Sequence, residues 1–313
     1  MSSQPNTTKI PFSIAHTQQP VRLIELPPAI LSLINSDERP TLKIKAAAAL
    51  PPSQSHNASS TSDHAVLCTA DKTFSLRQVH SSNTTFLLTP TASCDSPSSG
   101  EVTVTSTVTS YLELLPLPSI ADARDLLRPH LLPYPSPPPS PGTRKSRTQL
   151  ARDTPISDAE FNHAWDSLGA FEHDGCCYIP TPSSLLAAVK EAFTSAAAER
   201  ITICAKSPFS PDLVLGCIDE DVEIPRPLIV AALASVCDCA EDGWRLNESR
   251  CIEATGRWVL QEWHEMGKGD MLYIAFSKIW KSVVPDGCAR LCCLDAIKVC
   301  WLVGCAEVRL VNS

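Results

Sequence analysis

Hydrophobic and polar positions along this chain follow two different rhythms. Between Val21 and Leu114 the apolar residues come in short β-branched or aromatic runs: TLKIK (41–45), AVLC (65–68), TFSLRQV (73–79), TTFLL (84–88), VTVTSTV (102–108) and YLEL (111–114). Ser, Pro, Asn and Asp separate them. Such runs predict strands, because branched and aromatic side chains suit a pleated, half-buried surface and the interrupting residues favour turns. The expectation is a β domain over 21–133, an antiparallel sheet or partial barrel. Pro51–Asp63 and Thr91–Gly100 read as disordered Ser-rich loops. Residues 1–20, with one lysine, no arginine and no apolar core, read as a disordered tail rather than a targeting segment.

The rhythm changes after YPSPPPSPG (134–142), where proline keeps the chain extended; 134–147 reads as a linker. From Thr148 the period is helical. In SDAEFNHAWDSLGAF, Ser157 is placed as an N-cap with Glu160 three residues on as in a capping box, and Phe161, Trp165 and Leu168 share one face. Asp174-Gly175 and Asp242-Gly243 lie 68 residues apart. Each is preceded by a helical pattern and followed by a strand-like stretch and another helix. That succession predicts tandem winged-helix modules over 148–195 and 196–266. A third pattern, with Phe276, Ile279, Trp280 and Val283 at helical spacing, opens an incomplete module over 267–313. The fold class expected is α+β with several domains.

Charge narrows the functions. Lys plus Arg number 26 against 34 Asp plus Glu, a net charge of -8, so no global positive field draws the chain to nucleic acid or anionic lipid. DNA contact has to be local. Arg144, Lys145 and Arg147 form the dense basic run before the helical half, and Arg257, Lys278, Lys281 and Arg290 are the later candidates for phosphate contact. Ordinary solvated faces are the competing reading. Fourteen cysteines, including the adjacent pairs Cys176-Cys177 and Cys292-Cys293, follow no signal peptide, which fits a reducing nucleus or cytosol. The longest apolar runs, such as LIVAALASVC (228–237), fall short of the roughly 20 residues of a membrane span.

Catalysis has one candidate, the thiol of Cys68 with His80 as base. The same stretch reads as a hairpin, with Ala70-Asp71-Lys72 turning between AVLC and TFSLRQV, and the hairpin is preferred. Cys237-x-Cys239, Cys288-x-x-x-Cys292 and Cys300-x-x-x-x-Cys305 lack the paired Cys-x-x-Cys knuckles of a structural zinc site. No phosphate-binding glycine loop, GxSxG or HExxH occurs. A non-enzyme with no catalytic residue, metal or cofactor is expected.

Several stretches together resemble the sister chromatid cohesion protein Dcc1 family: LIELPPAILSLI (23–34), AVLCTADKTFSLRQVHSSNT (65–84), YLEL, the Asp-Gly units, FSKIWKSVVPDG (276–287) and LDAIK (294–298). The resemblance implies a nuclear scaffold subunit of an alternative, cohesion-specific clamp loader related to replication factor C. Its N-terminal sheet would join strands of the two other cohesion-specific subunits into a composite barrel. Its C-terminal winged helices would contact DNA polymerase epsilon and DNA, the sliding clamp being reached only through the loader. Phe74, Leu76, Arg77, Tyr111, Leu112 and Leu114 are then the candidate interface or barrel-core positions. The resemblance lapses after Lys298, so VCWLVGCAEVRLVNS reads as translated intron, leaving the pattern from Met271 with nothing to pack against. The alternative from another class is a free-standing winged-helix DNA-binding regulator, which would bind DNA alone with a steep salt dependence.

Overall fold

The computed structural model describes residues 12–37, 40–46, 65–90, 102–116, 120–297 and 310–311. The chain is α+β and divides into two compact units: Met1–Ser119 with Asp153–Glu160, and Ile120–Arg152 with Phe161–Ser313. The sequence boundary at 133 and the contact boundary at 119 differ, and Asp153–Glu160 returns to the first unit. The loops at 51–63 and 91–100 lie outside the described residues.

The first unit is one sheet. Short strands β1 (Phe12–Ile14) and β2 (Leu23–Glu25) and helix α1 (Pro28–Ile34) precede β3 (Lys43–Ala46), β4 (Ala65–Cys68), β5 (Thr73–Pro90) and β6 (Val102–Pro116). β3, β4, β5 and β6 are successive antiparallel neighbours, while β1 and β2 both run parallel to β6 on its far side. β1 falls in the stretch expected to be a disordered tail. Its backbone is paired from Phe12↔Val102 to Ile14↔Val104, so residues 12–14 are part of the sheet. The sheet is mixed rather than antiparallel, and among the described residues it does not close into a barrel.

Four expected strands merge into two. TFSLRQV and TTFLL are one strand, as are VTVTSTV and YLEL, because the β5–β6 pairing that stops at His80↔Ser110 resumes at Thr85↔Val108 between the same two strands. Irregular register between His80 and Thr85, and again between Leu87 and Leu88, takes up the mismatch. A bulge of this kind unpairs residues locally and sharpens twist without ending a strand.

Beyond residue 119 one order recurs. Helix α2 (Ile120–Leu127) and strand β7 (Leu132–Tyr134) lead to helices α3 (Arg147–Asp153) and α4 (Asp158–Ser167) and the hairpin β8 (Phe171–His173) and β9 (Cys176–Pro180). Helix α5 (Pro182–Ala198), a one-residue bridge at Phe209, helices α6 (Pro211–Gly216) and α7 (Arg226–Val236), and the hairpin β10 (Cys237–Ala240) and β11 (Gly243–Leu246) repeat it. Both times the lone strand pairs with the second hairpin strand, Leu132↔Tyr178 and Phe209↔Trp244. Helix α8 (Glu248–Glu265), strand β12 (Met271–Leu272) and helices α9 (Tyr273–Lys281) and α10 (Asp286–Ala289) begin it a third time, and β12 pairs with β13 (Leu310–Val311).

The two Asp-Gly pairs, aligned in sequence, do different work. Asp174 (φ 51°) and Gly175 (φ 70°) are the two-residue loop of β8–β9, where both positions must be left-handed. In β10–β11 the loop is Glu241-Asp242, and Gly243 is already in the strand at φ 131°. A Cβ there would lie 3.0 Å from the Phe209 carbonyl, so the missing side chain admits the bridging backbone.

A continuous apolar core runs from Phe171 through α5, α7, α8 and α9 to Ile297. Gly256 on α8 allows the closest approach in it: a Cβ would meet Ile297 Cδ1 at 2.8 Å and Trp280 Cε2 at 2.9 Å. Trp280 is fully buried, its indole N–H donating to Ile252 O and Thr255 Oγ1, both at 3.1 Å. Met271 and Phe276 are buried as well. The segment from Met271 is thus packed, not orphaned; the suspect stretch 299–309 lies outside the described residues.

Candidate partner interface

One end of the first unit's sheet is closed on both faces. Side chains alternate along a strand, so Leu67, Phe74, Leu76 and Leu114 point to one face, where Ile30 of α1 seals them into a small cluster. Val66, Cys68 and Thr73 point to the other, along with Lys43 and Lys45. That face carries Asp153–Glu160. Lys45, buried, donates to Thr154 O at 3.1 Å and Ile156 O at 2.6 Å, and Lys43 pairs with Asp158 at 2.5 Å. Burial pushes the Lys45 ammonium below the ordinary lysine range, against the opposing pull of Cys68 and Asp158.

Thr73 joins this latch to the start of α4. Its hydroxyl donates to Glu160 Oε2 at 2.5 Å and accepts from the Ser157 N–H at 2.7 Å. Glu160 also accepts from Ser157 N (3.1 Å), and Glu160 N donates to Ser157 Oγ (3.2 Å). This is the capping box read from the sequence, with a threonine from a distant strand added. The sequence reading missed Lys45, Lys43 and Thr73. The available signal was parity: two lysines in TLKIK share a face with the apolar positions of the neighbouring strand.

Beyond that end β6 still buries Val104, Ser106 and Val108, but β5 is open along one edge. β4 covers β5 only over Thr73–Ser75, and from Leu76 to Pro90 no described strand lies on the side of β5 away from β6. Phe86 and Leu88, in this stretch, are 53% and 52% exposed, and Ile44 on the outermost strand is 69% exposed. The candidate interface residues divide accordingly. Phe74 and Leu114 are buried in the small cluster, with Leu76 packed against it. Leu112, half-buried, is on their face but outside that cluster. Arg77 and Tyr111 are on the opposite face, where Arg77 Nη2 meets Glu113 Oε2 at 2.5 Å in an exposed pair.

Of the basic candidates, Arg144, Arg147 and Arg257 are held by local partners. Arg144 Nε donates to Pro139 O (3.2 Å) and Nη1 to Asp174 O (3.5 Å). Arg147 lies 5.0 Å from the Trp165 ring centroid and donates to Asn162 Oδ1 (3.0 Å). Lys145, exposed, is also engaged in an interaction. Arg257 Nη2 reaches Glu253 on its own helix at 3.4 Å. Lys278 and Lys281, in the last turn of α9, and Arg290, which ends α10, are exposed.

Cys68 and His80 are not brought together. Cys68 is opposite Thr73, and His80 is seven residues further along β5, about 23 Å at roughly 3.3 Å per residue. The Thr69–Lys72 turn is closed by Thr69 N→Lys72 O at 2.9 Å, so the stretch is a hairpin. Burial raises the Cys68 thiol, and pushes Cys177 and Cys237 up to about 12 and Cys288 up to about 11. Such thiols stay protonated and inert at neutral pH. Among the described residues no three His, Cys, Asp or Glu gather as metal ligands, and no helix is long and apolar enough to cross a membrane.

The family model described as sister chromatid cohesion protein Dcc1 matches residues 21–309. The match spans both units and runs past Lys298, where the resemblance had been expected to lapse. No curated protein matches the chain.

Proposed function

Because the chain belongs to the sister chromatid cohesion protein Dcc1 family, we propose that it is a non-enzymatic scaffold subunit of an alternative clamp loader of the replication factor C type, working in the nucleus. In this reading the first unit assembles with the two other cohesion-specific subunits, and the repeated units beyond residue 119 link the loader to DNA polymerase epsilon and DNA. The observation that carries it is the open run of β5 from Leu76 to Pro90 beside exposed Phe86 and Leu88. An uncovered strand edge offers unpaired backbone groups for an added strand, and apolar side chains beside it gain by being covered.

The recurring order of helix, strand, two helices and hairpin supports reading those repeats as winged helices. Their phase then differs from the sequence reading: each unit starts one helix earlier, at α2, α5 and α8. Local engagement of Arg144, Arg147 and Arg257 favours protein contacts over a strong DNA grip for this part.

Co-expression tests the assignment. The full chain should co-purify with both cohesion-specific subunits, and alone should bind duplex DNA weakly. Tight DNA binding by the chain alone, falling steeply with salt, together with no retention of either subunit, would favour the free-standing regulator.

A further inference from the structure

Eight Ser-Pro or Thr-Pro pairs occur in the chain, and only Ser140-Pro141 is followed within five residues by cations, Arg144 and Lys145. The surroundings of Ser140 set it apart further. It is exposed, its backbone is extended (φ −52°, ψ 144°), and its hydroxyl makes no capping hydrogen bond. Thr154, the Thr-Pro at the latch, is buried. Ser146, nearer the cations, has its hydroxyl occupied by Gln149 N and Thr148 Oγ1.

Arg144 is placed to receive what Ser140 would carry. Its Nε donates to the carbonyl of Pro139, the peptide group joined to Ser140, and Nη1 to Asp174 O. These bonds use two of the five N–H donors of a guanidinium. The segment from Ser140 to Arg147 holds three cations and no acid.

We propose that Ser140 is a phosphorylation site for a proline-directed Ser/Thr kinase, and that its phosphate is held by Arg144. Transfer takes the γ-phosphoryl group of ATP. The Ser140 Oγ–P bond forms, the bridging bond to the β-phosphate breaks, ADP leaves, and the hydroxyl proton passes to the kinase's base. A serine phosphate carries about −1.5 to −2 charges at neutral pH, so the segment's charge falls from +3 to about +1. Modification at the head of the basic run therefore withdraws the cations that would otherwise face an external phosphate. The inference does not depend on how the sheet meets its partners.

The test treats the full chain, alone or in its complex, with a proline-directed kinase and ATP. Peptide mapping should find the phosphate on Ser140, with loss of that label in S140A and P141A. Phosphorus NMR then separates a held phosphate from a free one. The second ionisation of the Ser140 phosphate should lie about 0.5 unit lower in the native sequence than in R144Q, because a neighbouring cation favours the dianion. No incorporation at Ser140, or titration curves that coincide in the two proteins, overturns the proposal.

Discussion

The two units bury their apolar residues in opposite ways. In the second, the core passes without interruption through α5, α7, α8 and α9, and Trp280 and Phe276 within it are fully covered. In the first, the cluster around Phe74 is Ile30, Leu67 and Leu114 with Leu76 against it, at one end of strands that run on well past it. A helix seals one face of that end and the Lys45 latch the other. A strand pair with little packed on it is marginal in water, since its hydrogen bonds alone do not offset the entropy of ordering it. The second unit carries a continuous core; the first carries a small one at one end of a sheet whose β5 edge is uncovered among the described residues.

The sharpest way to break this contrast is to remove a large side chain from each core. Trp280→Ala should cost about 3–5 kcal/mol, the range for a buried aromatic cut to alanine, and it also strands the acceptors of the indole N–H. No tryptophan lies in residues 1–119 or 153–160, so tryptophan emission during urea unfolding reports on the second unit. Trp280→Ala should move its midpoint strongly, whereas Phe74→Ala should leave it in place. If both substitutions shift the emission midpoint equally, the units are not separate in stability.

Alkaline pH sharpens the same contrast through the buried thiols. Cys177, Cys237, Cys251 and Cys288 are buried in the second unit, and burial raises each thiol above its ordinary value near 9. Between about pH 9 and pH 11 the unfolded chain has lost these protons while the folded chain retains them. The unfolded state then binds fewer protons, so stability falls as pH rises. The slope is about 1.4 kcal/mol per pH unit for each thiol in the window. Emission-monitored stability should be level from pH 7 to 8.5 and decline beyond, with a shallower decline in Cys237→Ala. A flat profile up to pH 11 counts against the buried state of these thiols.

What the sequence disclosed depended on how local the cause was. The Ser157–Glu160 capping box, the turn at Thr69–Lys72 and the helical face of Phe161 and Trp165 each rest on residues a few positions apart, and each is present. Strand continuity was misread because Ser81 to Thr84 look like a turn by composition, whereas they form an irregularity across which the same partner strand resumes pairing at Thr85↔Val108. The parallel pairing of Phe12–Ile14 with β6 spans about 90 residues of chain, and so short a strand has no periodicity of its own to announce it. Lys45 went unread for a related reason. A lysine in a strand reads as solvent-facing, and nothing nearby indicates that carbonyls from Thr154 and Ile156 will receive it.

The smallest effect on stability should accompany the largest effect on assembly. Phe86→Lys with Leu88→Lys places two cations along the open run of β5, at positions already half exposed, so the free chain should change by no more than about 0.5 kcal/mol. Lysine on an edge strand opposes further pairing, because an incoming strand would have to cover the charge. The doubly substituted chain should therefore lose its sheet-binding partners on co-purification while keeping the unfolding midpoint of the native sequence. Leu213→Lys is the matching control: that leucine, on α6 of the second unit, is 60% exposed, so it presents as much apolar surface without lying on a strand edge. If exposed apolar surface alone recruits partners, the control should weaken capture as much as the double substitution. If the open edge recruits them, only the β5 substitutions should do so. Full partner retention by the doubly substituted chain removes the open run of β5 from the interface and moves the assembly site to another part of the sheet.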